Sequence, residues 1–402
     1  MAKSPSRAWG IVAILWGVAL LNYLDRQVIF SLFPLLKAEF AIPDRSLGLV
    51  STSFLWIYGL FSPIGGFLAD RFRRDRIIVM SLLVWSVITI LTGRVQTFNQ
   101  LIVARAAMGL SEACYIPAAL ALIADYHREH SRSLAIGIHQ SGIYAGLILG
   151  GWLGGYFGEH YGWRFPFAFF GGIGAVYAFI VSRWVSDSNE ERPLVEMQHR
   201  EPKRLLSGEF MGLCLISTAF SIAGWIALTW MPLHLFEHFG MSLTRAGFTA
   251  SFWIQGAAFL GILGGGYLAD RLAPGWPAAR LVIAAASLSA GGIFLTVTGS
   301  TSAVPTLITG LAFYGLSRGI WDCSLMPLLC HLAAPRRRAF GYGILNLAGT
   351  LAGGAMVWTA GALKASAGLA TAIQGSGILL LLASTGLIVL LRSPKFHTNP
   401  YD

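Results

Sequence analysis

The stretch Gly65-Gly66-Phe67-Leu68-Ala69-Asp70-Arg71 occurs twice in this chain. It returns 200 residues later as Gly265-Gly266-Tyr267-Leu268-Ala269-Asp270-Arg271. Two further landmarks recur in the same order, both at an offset of 206. Gly109-Leu110-Ser111 returns as Gly315-Leu316-Ser317, and Arg132-Ser-Leu-Ala-Ile-Gly-Ile138 as Arg338-Ala-Phe-Gly-Tyr-Gly-Ile344. Three ordered matches read as a duplicated unit. Around them lie apolar stretches of the ~20 residues needed to cross a bilayer as a helix. They fall near 9–33, 46–68, 77–95, 99–124, 133–156, 164–185, 209–236, 244–268, 280–298, 303–330, 338–361 and 370–391. The expectation is an all-α polytopic membrane protein of twelve transmembrane helices in two six-helix, pseudo-symmetric bundles. The long polar segment Ser186–Gly208, with Glu190, Glu191, Arg192, Pro193, Pro202 and Lys203, reads as a linker. The bundles are then 1–185 and 209–402, with 186–208 between them. Parallel repeats of this kind place a binding site near mid-membrane.

Composition agrees. Of 402 residues 55% are hydrophobic and 12% charged, against about 25% charged in soluble domains. Mean hydropathy is +0.63. The net charge of +10 would suit nucleic acid, but its placement argues against that partner. Arg71, Arg73, Arg74, Arg76, Arg128, Arg132, Arg192, Lys203, Arg271, Arg336 and Arg392 fall on one set of alternate loops, Lys37, Arg45, Arg94, Arg164, Arg245 and Lys364 on the other. The basic excess marks the cytoplasmic side, so both termini are expected in the cytoplasm of a multi-pass protein of the plasma (inner) membrane. Cys114, Cys214, Cys323 and Cys330 show no metal-ligand spacing and read as small buried hydrophobes. No Ser/His/Asp set or phosphate-binding glycine loop is present, so an enzyme is not expected.

The charges inside the spans carry the chemistry. Span 1 contains Asn22-Tyr23-Leu24-Asp25-Arg26. A charged residue at helix centre costs about 2.5–3.5 kcal/mol on insertion scales, and such residues mark pathways. In span 4, Arg105 and Glu112 are seven residues apart, two turns along one helix face. Two carboxylates and two arginines balance one another. An anion would compete for Arg26 and Arg105, whose planar forks bind carboxylate bidentately. A buried carboxyl group that loses its cation is left to take a proton. In span 10, Arg318 and Asp322 are i, i+4 and can pair. By the repeat offset Arg318 stands where Glu112 does, so the central charge is inverted. It either reads a second anionic group or is neutralised by Asp322. The amides of Gln140 and Asn346 are candidates for hydroxyl recognition, and Tyr23, Trp321 and Trp358 for stacking on a ring or for ordinary core. His139 and His234 are candidates for proton traffic or for hydrogen-bonded filling. Glycines at 142, 146, 150 and 154 in span 5 permit close helix packing.

Gly65-Gly-Phe-Leu-Ala-Asp70-Arg71-Phe-Arg73-Arg74, its second copy and the six-plus-six layout resemble the major facilitator superfamily. The resemblance implies a gating role at the cytoplasmic side for Asp70, Arg71, Arg74, Asp270 and Arg271. The second copy departs from the pattern, continuing Leu272-Ala-Pro-Gly275 without the arginine cluster. Asn22-Tyr-Leu-Asp-Arg26, the Arg105/Glu112 pair, Trp230-Met-Pro-Leu-His-Leu235 and Gly240-Met-Ser-Leu-Thr-Arg-Ala-Gly247 resemble, more narrowly, the anion:cation symporters, which include sugar-acid/H+ symporters. That resemblance implies Asp25 and Glu112 as protonation sites and Tyr58 as a cavity-lining aromatic. It also implies proton-coupled uptake of a small organic anion by alternating access, with the proton as coupling ion and no other cofactor. A monomer is expected. Spinster-type lipid or lysolipid transporters share the Asp-Arg pair and are the alternative, with a neutral-sugar carrier beside them.

Overall fold

The computed structural model describes residues 5–127, 129–186, 207–273, 275–333 and 337–393. Most of the expected linker lies outside them. The described residues are helical: α1 (Pro5–Ser31), α2 (Phe33–Phe40), α3 (Asp44–Arg71), α4 (Arg74–Thr92), α5 (Phe98–Glu112), α6 (Tyr115–Tyr126), α7 (Glu129–Tyr161), α8 (Arg164–Trp184), α9 (Gly208–Phe239), α10 (Leu243–Leu272), α11 (Ala279–Ser300), α12 (Val304–Leu332) and α13 (Arg338–Leu390). Ten helical stretches, counting α5 with α6, are long and apolar enough to span a membrane. The 51-residue stretch Phe340–Leu390 holds two spans, parted where Gly368 takes φ 76°. With α12 the described residues supply twelve.

Three local features differ from the sequence expectation. Span 1 stops at Ser31, and a separate short helix α2 follows, closed by Ala41 in the left-handed region at φ 47°. Span 4 is not continuous: α5 ends at Glu112 and α6 starts at Tyr115. Pro117 has no N–H to offer the Ala113 carbonyl four residues back, so the ladder is interrupted there. Lys364, read as a loop residue, lies within helical α13.

The chain forms two compact units. The first comprises Met1–Pro43, Leu49–Gln198 and Met241–Phe248; the second comprises Asp44–Gly48, His199–Gly240 and Thr249–Asp402. The short stretches that group across the sequence halves pack through glycine. Gly155 lies on the Leu243 backbone and Gly247 on that of Gly151, while Gly48 lies on Val357 and Trp358.

In the first unit, the glycines of α7 fix α1. A Cβ at Gly142, Gly146, Gly150 or Gly154 would come within 3.0 Å of the backbone at Trp16, Leu20, Leu24 or Val28. Both series step by four, so one face of α1 is fused to α7 along its length. Asp25 and Arg26 are thereby turned away from α7. At the α6 end, an apolar cluster that includes Ile11, Leu15, Trp85, Tyr115 and Leu122 fills the space among α1, α4 and α6.

The duplication extends to individual contacts. Ser81 Oγ donates to the Ser111 carbonyl in the first unit, and Ser317 Oγ to the Ser287 carbonyl in the second. The same two positions are bonded, at an offset of 206, with donor and acceptor exchanged. Gly109 lies against the Phe54 carbonyl, and Gly315 against the Ile254 carbonyl.

The repeated Gly-Gly divides its labour. Gly65 rests on the interruption of span 4, where a Cβ would lie 2.9 Å from both the Ala113 carbonyl carbon and Cys114 Cα. Gly265 rests on Ile320, whereas a Cβ at Gly66 or Gly266 would meet nothing within 4 Å. Gly65→Ala is therefore expected to destabilise by about 1–3 kcal/mol. Gly66→Ala is expected to be neutral or to stabilise by up to about 1 kcal/mol. Thermal unfolding of the two purified variants in detergent distinguishes them; equal midpoints would contradict this packing.

Candidate functional site

The first unit brings together six of the residues singled out in the sequence: Tyr23, Asp25, Arg26, Tyr58, Arg105 and Glu112. α1, α3, α4 and α5 supply them and their contacts. Asp25 is 3% exposed, Arg26 4%, and Arg105 and Glu112 are fully buried. Four formal charges in so dry a place require mutual compensation.

Arg26 Nε donates to Glu112 Oε2 at 2.5 Å. Arg26 is also surrounded by rings, its guanidinium carbon 4.6 Å from the Tyr23 centroid, 4.9 Å from Phe54 and 4.5 Å from Tyr58. Such cation–π contacts are worth up to ~2 kcal/mol each when desolvated. Phe54 and Tyr58 are one helical turn apart and stack at 5.7 Å. Asn22 is fully buried and stands beside Glu112. Asp25 takes a different partner: Thr89 Oγ1 of α4 donates to its Oδ2 at 3.2 Å.

Arg105 shares this site without a carboxylate hydrogen bond. Its Nη1 contacts Met108 Sδ at 3.1 Å, and its guanidinium carbon lies 5.0 Å from the Phe54 ring. Its Nε and Nη2 have no hydrogen-bond partner, nor does Arg26 Nη2. Two arginines thus flank one ring, one engaged by Glu112 and the other offering two donor nitrogens.

Gln140 lies on α7 and is half-buried, beside His139. His139 is fully buried, its Nε2 2.9 Å from the Tyr115 hydroxyl, which donates to the Leu15 carbonyl at 2.9 Å. That arrangement ties α1, α6 and α7 together.

In the second unit Arg318 and Asp322 form the expected i, i+4 pair, at 3.8 Å and partly exposed. Asn346 is half-buried. Two buried polar groups here escaped the sequence reading. Gln255 is fully buried with neither amide atom bonded, and the Tyr314 hydroxyl is buried without a partner. Trp321 is fully buried, its indole N–H also without a partner. Gln255 could have been noticed as a lone amide in an apolar span. Thr89 and Phe54 carried no distinguishing sequence signal.

At the signature loops, Arg74 donates to Asp125 Oδ2 at 2.6 Å and to the Ala121 carbonyl at 2.9 Å. Asp70 and Arg71 are exposed, while Arg73 holds Asp75 through both oxygens, at 2.8 and 3.2 Å. In the second copy Asp270 pairs with Arg280, and Arg271 Nη1 donates to the Tyr267 hydroxyl at 3.2 Å.

Residues 15–357 match the family model of the Major Facilitator Superfamily. The chain belongs to this superfamily. As a superfamily member it is a membrane transporter and not an enzyme. Its curated relatives include a D-galactonate transporter of Escherichia coli, 25% identical, the match covering 98% of each chain. A probable galactarate/D-glucarate transporter of the same species is 27% identical, over 85% of each. Among solved structures, a bacterial homologue of the human lysosomal transporter Spinster, inward-facing and occupied, superimposes with a TM-score of 0.80. That match covers 99% of this chain and 100% of the other at 20% identity, a likeness of fold. The superfamily fold of two six-helix bundles is the one the duplicated sequence implied.

Proposed function

We propose that this superfamily transporter takes up a small organic anion of the sugar-acid class, coupled to protons, by alternating access. The observation that carries the reading is the buried Arg26–Glu112 pair with Arg105 beside it, two of whose guanidinium nitrogens lack a protein partner. The relatives named for galactonate and galactarate or glucarate support the cargo class.

In this mechanism Glu112 neutralises Arg26 in the empty carrier. The carboxylate of the cargo docks on Arg105 and competes for Arg26. Glu112, losing its cation in a dry site, takes a proton. Asp25, bonded only through Thr89, is the second protonation site. Anion and proton then enter together because neither leaves a balanced site alone. Tyr23 and Tyr58 line the cargo site of the first unit, with Gln140 as a further contact; Asn346 and the Arg318/Asp322 pair are the second unit's own candidate cargo contacts. Asp70, Arg71, Arg74, Asp270 and Arg271 act in gating. The carrier works as a monomer in the inner membrane, both termini cytoplasmic.

The test is proton flux in proteoliposomes containing the purified protein, with a pH dye outside. Adding galactonate or glucarate should alkalinise the outside. Glu112→Gln should abolish pH-driven accumulation while retaining exchange of preloaded anion. Accumulation at the wild-type level in that variant would remove Glu112 from the coupling role. Movement of a lysolipid or neutral sugar, with silence from every anion, would overturn the cargo class.

A further inference from the structure

The last turns of α9 read His234-Leu235-Phe236-Glu237-His238. The spacing i, i+3, i+4 sets both imidazoles and the carboxylate on one face of the helix. All three line a cavity of about 230 Å³, together with Lys364, Gly368, Leu369 and Ala370 of α13. The imidazole rings lie parallel, centroids 5.1 Å apart at 9°. His234 is only 4% exposed, and its Nε2 has no hydrogen-bond partner. A buried ring nitrogen without a partner, on a residue that lines a cavity, is a lone pair or a proton without a mate. Lys364 Nζ sits at the rim, 2.7 Å from Glu237 Oε1 and 2.9 Å from Asp44 Oδ1 of α3. With both imidazoles neutral, two carboxylates against one ammonium leave the cluster one negative charge in excess, which favours a cation.

We propose that His234 and His238 form a binding site for a divalent transition-metal ion, with Glu237 as a third ligand. As placed, Glu237 is held by Lys364, and no three of the described His, Cys, Asp and Glu side chains converge on a common point. The two imidazoles are the ready ligands. His238 is exposed and can turn inward, while Glu237 joins by exchanging Lys364 for the ion as its cation. Imidazole selects Cu²⁺, Ni²⁺ and Zn²⁺ over Mg²⁺ or Ca²⁺, which take oxygen ligands. Binding requires neutral imidazoles, and Asp44, Glu237 and Lys364 are the charged groups around the pair. The site does not depend on what the chain transports.

The test uses the full-length protein in detergent, titrated with Cu²⁺ and then Ni²⁺ by equilibrium dialysis. The electron paramagnetic resonance spectrum of bound Cu²⁺ supplies a second readout. One Cu²⁺ per chain with nitrogen hyperfine structure is expected, Ni²⁺ binding more weakly. His238→Gln, at an exposed position where folding is not at stake, should weaken Cu²⁺ at least ~10-fold. Lys364→Gln, which releases Glu237, should tighten it. Absence of nitrogen-ligated Cu²⁺, or affinity unchanged in His238→Gln, would overturn the site, as would weaker binding in Lys364→Gln.

Discussion

Arg105→Lys is expected to weaken binding of the proposed sugar-acid cargo about 10- to 100-fold while leaving the protein folded. Charge-assisted hydrogen bonds are worth about 1.5–3 kcal/mol each, which converts to that range. The substitution keeps the positive charge that balances Asp25 and Glu112. It removes the fork, whose Nε and Nη2 carry no protein hydrogen bond and are therefore the donors a cargo carboxylate would take. A lysine places one ammonium where two parallel N–H groups stood. Isothermal titration of purified protein with galactonate reads the effect directly. If Arg105 only fills space between Met108 and Phe54, affinity will stay within twofold of wild type, and the anion contact must be assigned elsewhere.

Removing one member of the Arg26–Glu112 pair should have a still larger effect, on stability rather than affinity. Arg26→Met leaves Glu112 fully buried without its cation. Breaking a buried pair from one side costs about 3–5 kcal/mol, and three ring contacts to Arg26 vanish with it. The double variant Arg26→Met/Glu112→Leu removes both charges and is expected to recover most of the lost stability, because paired replacement by apolar groups is often neutral. Transport should remain absent in both variants. Thermal unfolding in detergent provides the comparison. A double variant no more stable than Arg26→Met would show that the rings around Arg26, not its ionic partner, dominate its contribution.

The sequence alone disclosed the architecture because the two strongest signals of a membrane chain act over long windows. Hydropathy marked the spans, and the repeated Gly-Gly-x-Leu-Ala-Asp-Arg tied the halves together. The four-step glycines of span 5 likewise foretold its close packing, and the structure adds the partner, α1. The site was legible by residue but not by pairing. Arg105 and Glu112 fall on one face of a helix, which invites pairing them. Glu112 instead bonds Arg26 of α1, a choice set by the approach of two helices that no local pattern encodes. Thr89 resembles the other hydroxyl residues of its span until α1 presents Asp25 to it. The interruption after Glu112 escaped because Pro117 sits in an apolar run, and a spanning helix tolerates proline when neighbours resatisfy the backbone. Here Gly65 packs directly on the interruption.

The second glycine of each signature offers a practical return. Gly66 and Gly266 occupy equivalent places in the two repeats, and a side chain added at either meets nothing within 4 Å. Cysteines introduced there would form a matched pair of attachment points for spin labels, once the four half-buried native cysteines are replaced. Label separation, followed as anion is added and the pH is changed, would then report the transport cycle from two sites whose modification leaves the helix contacts intact.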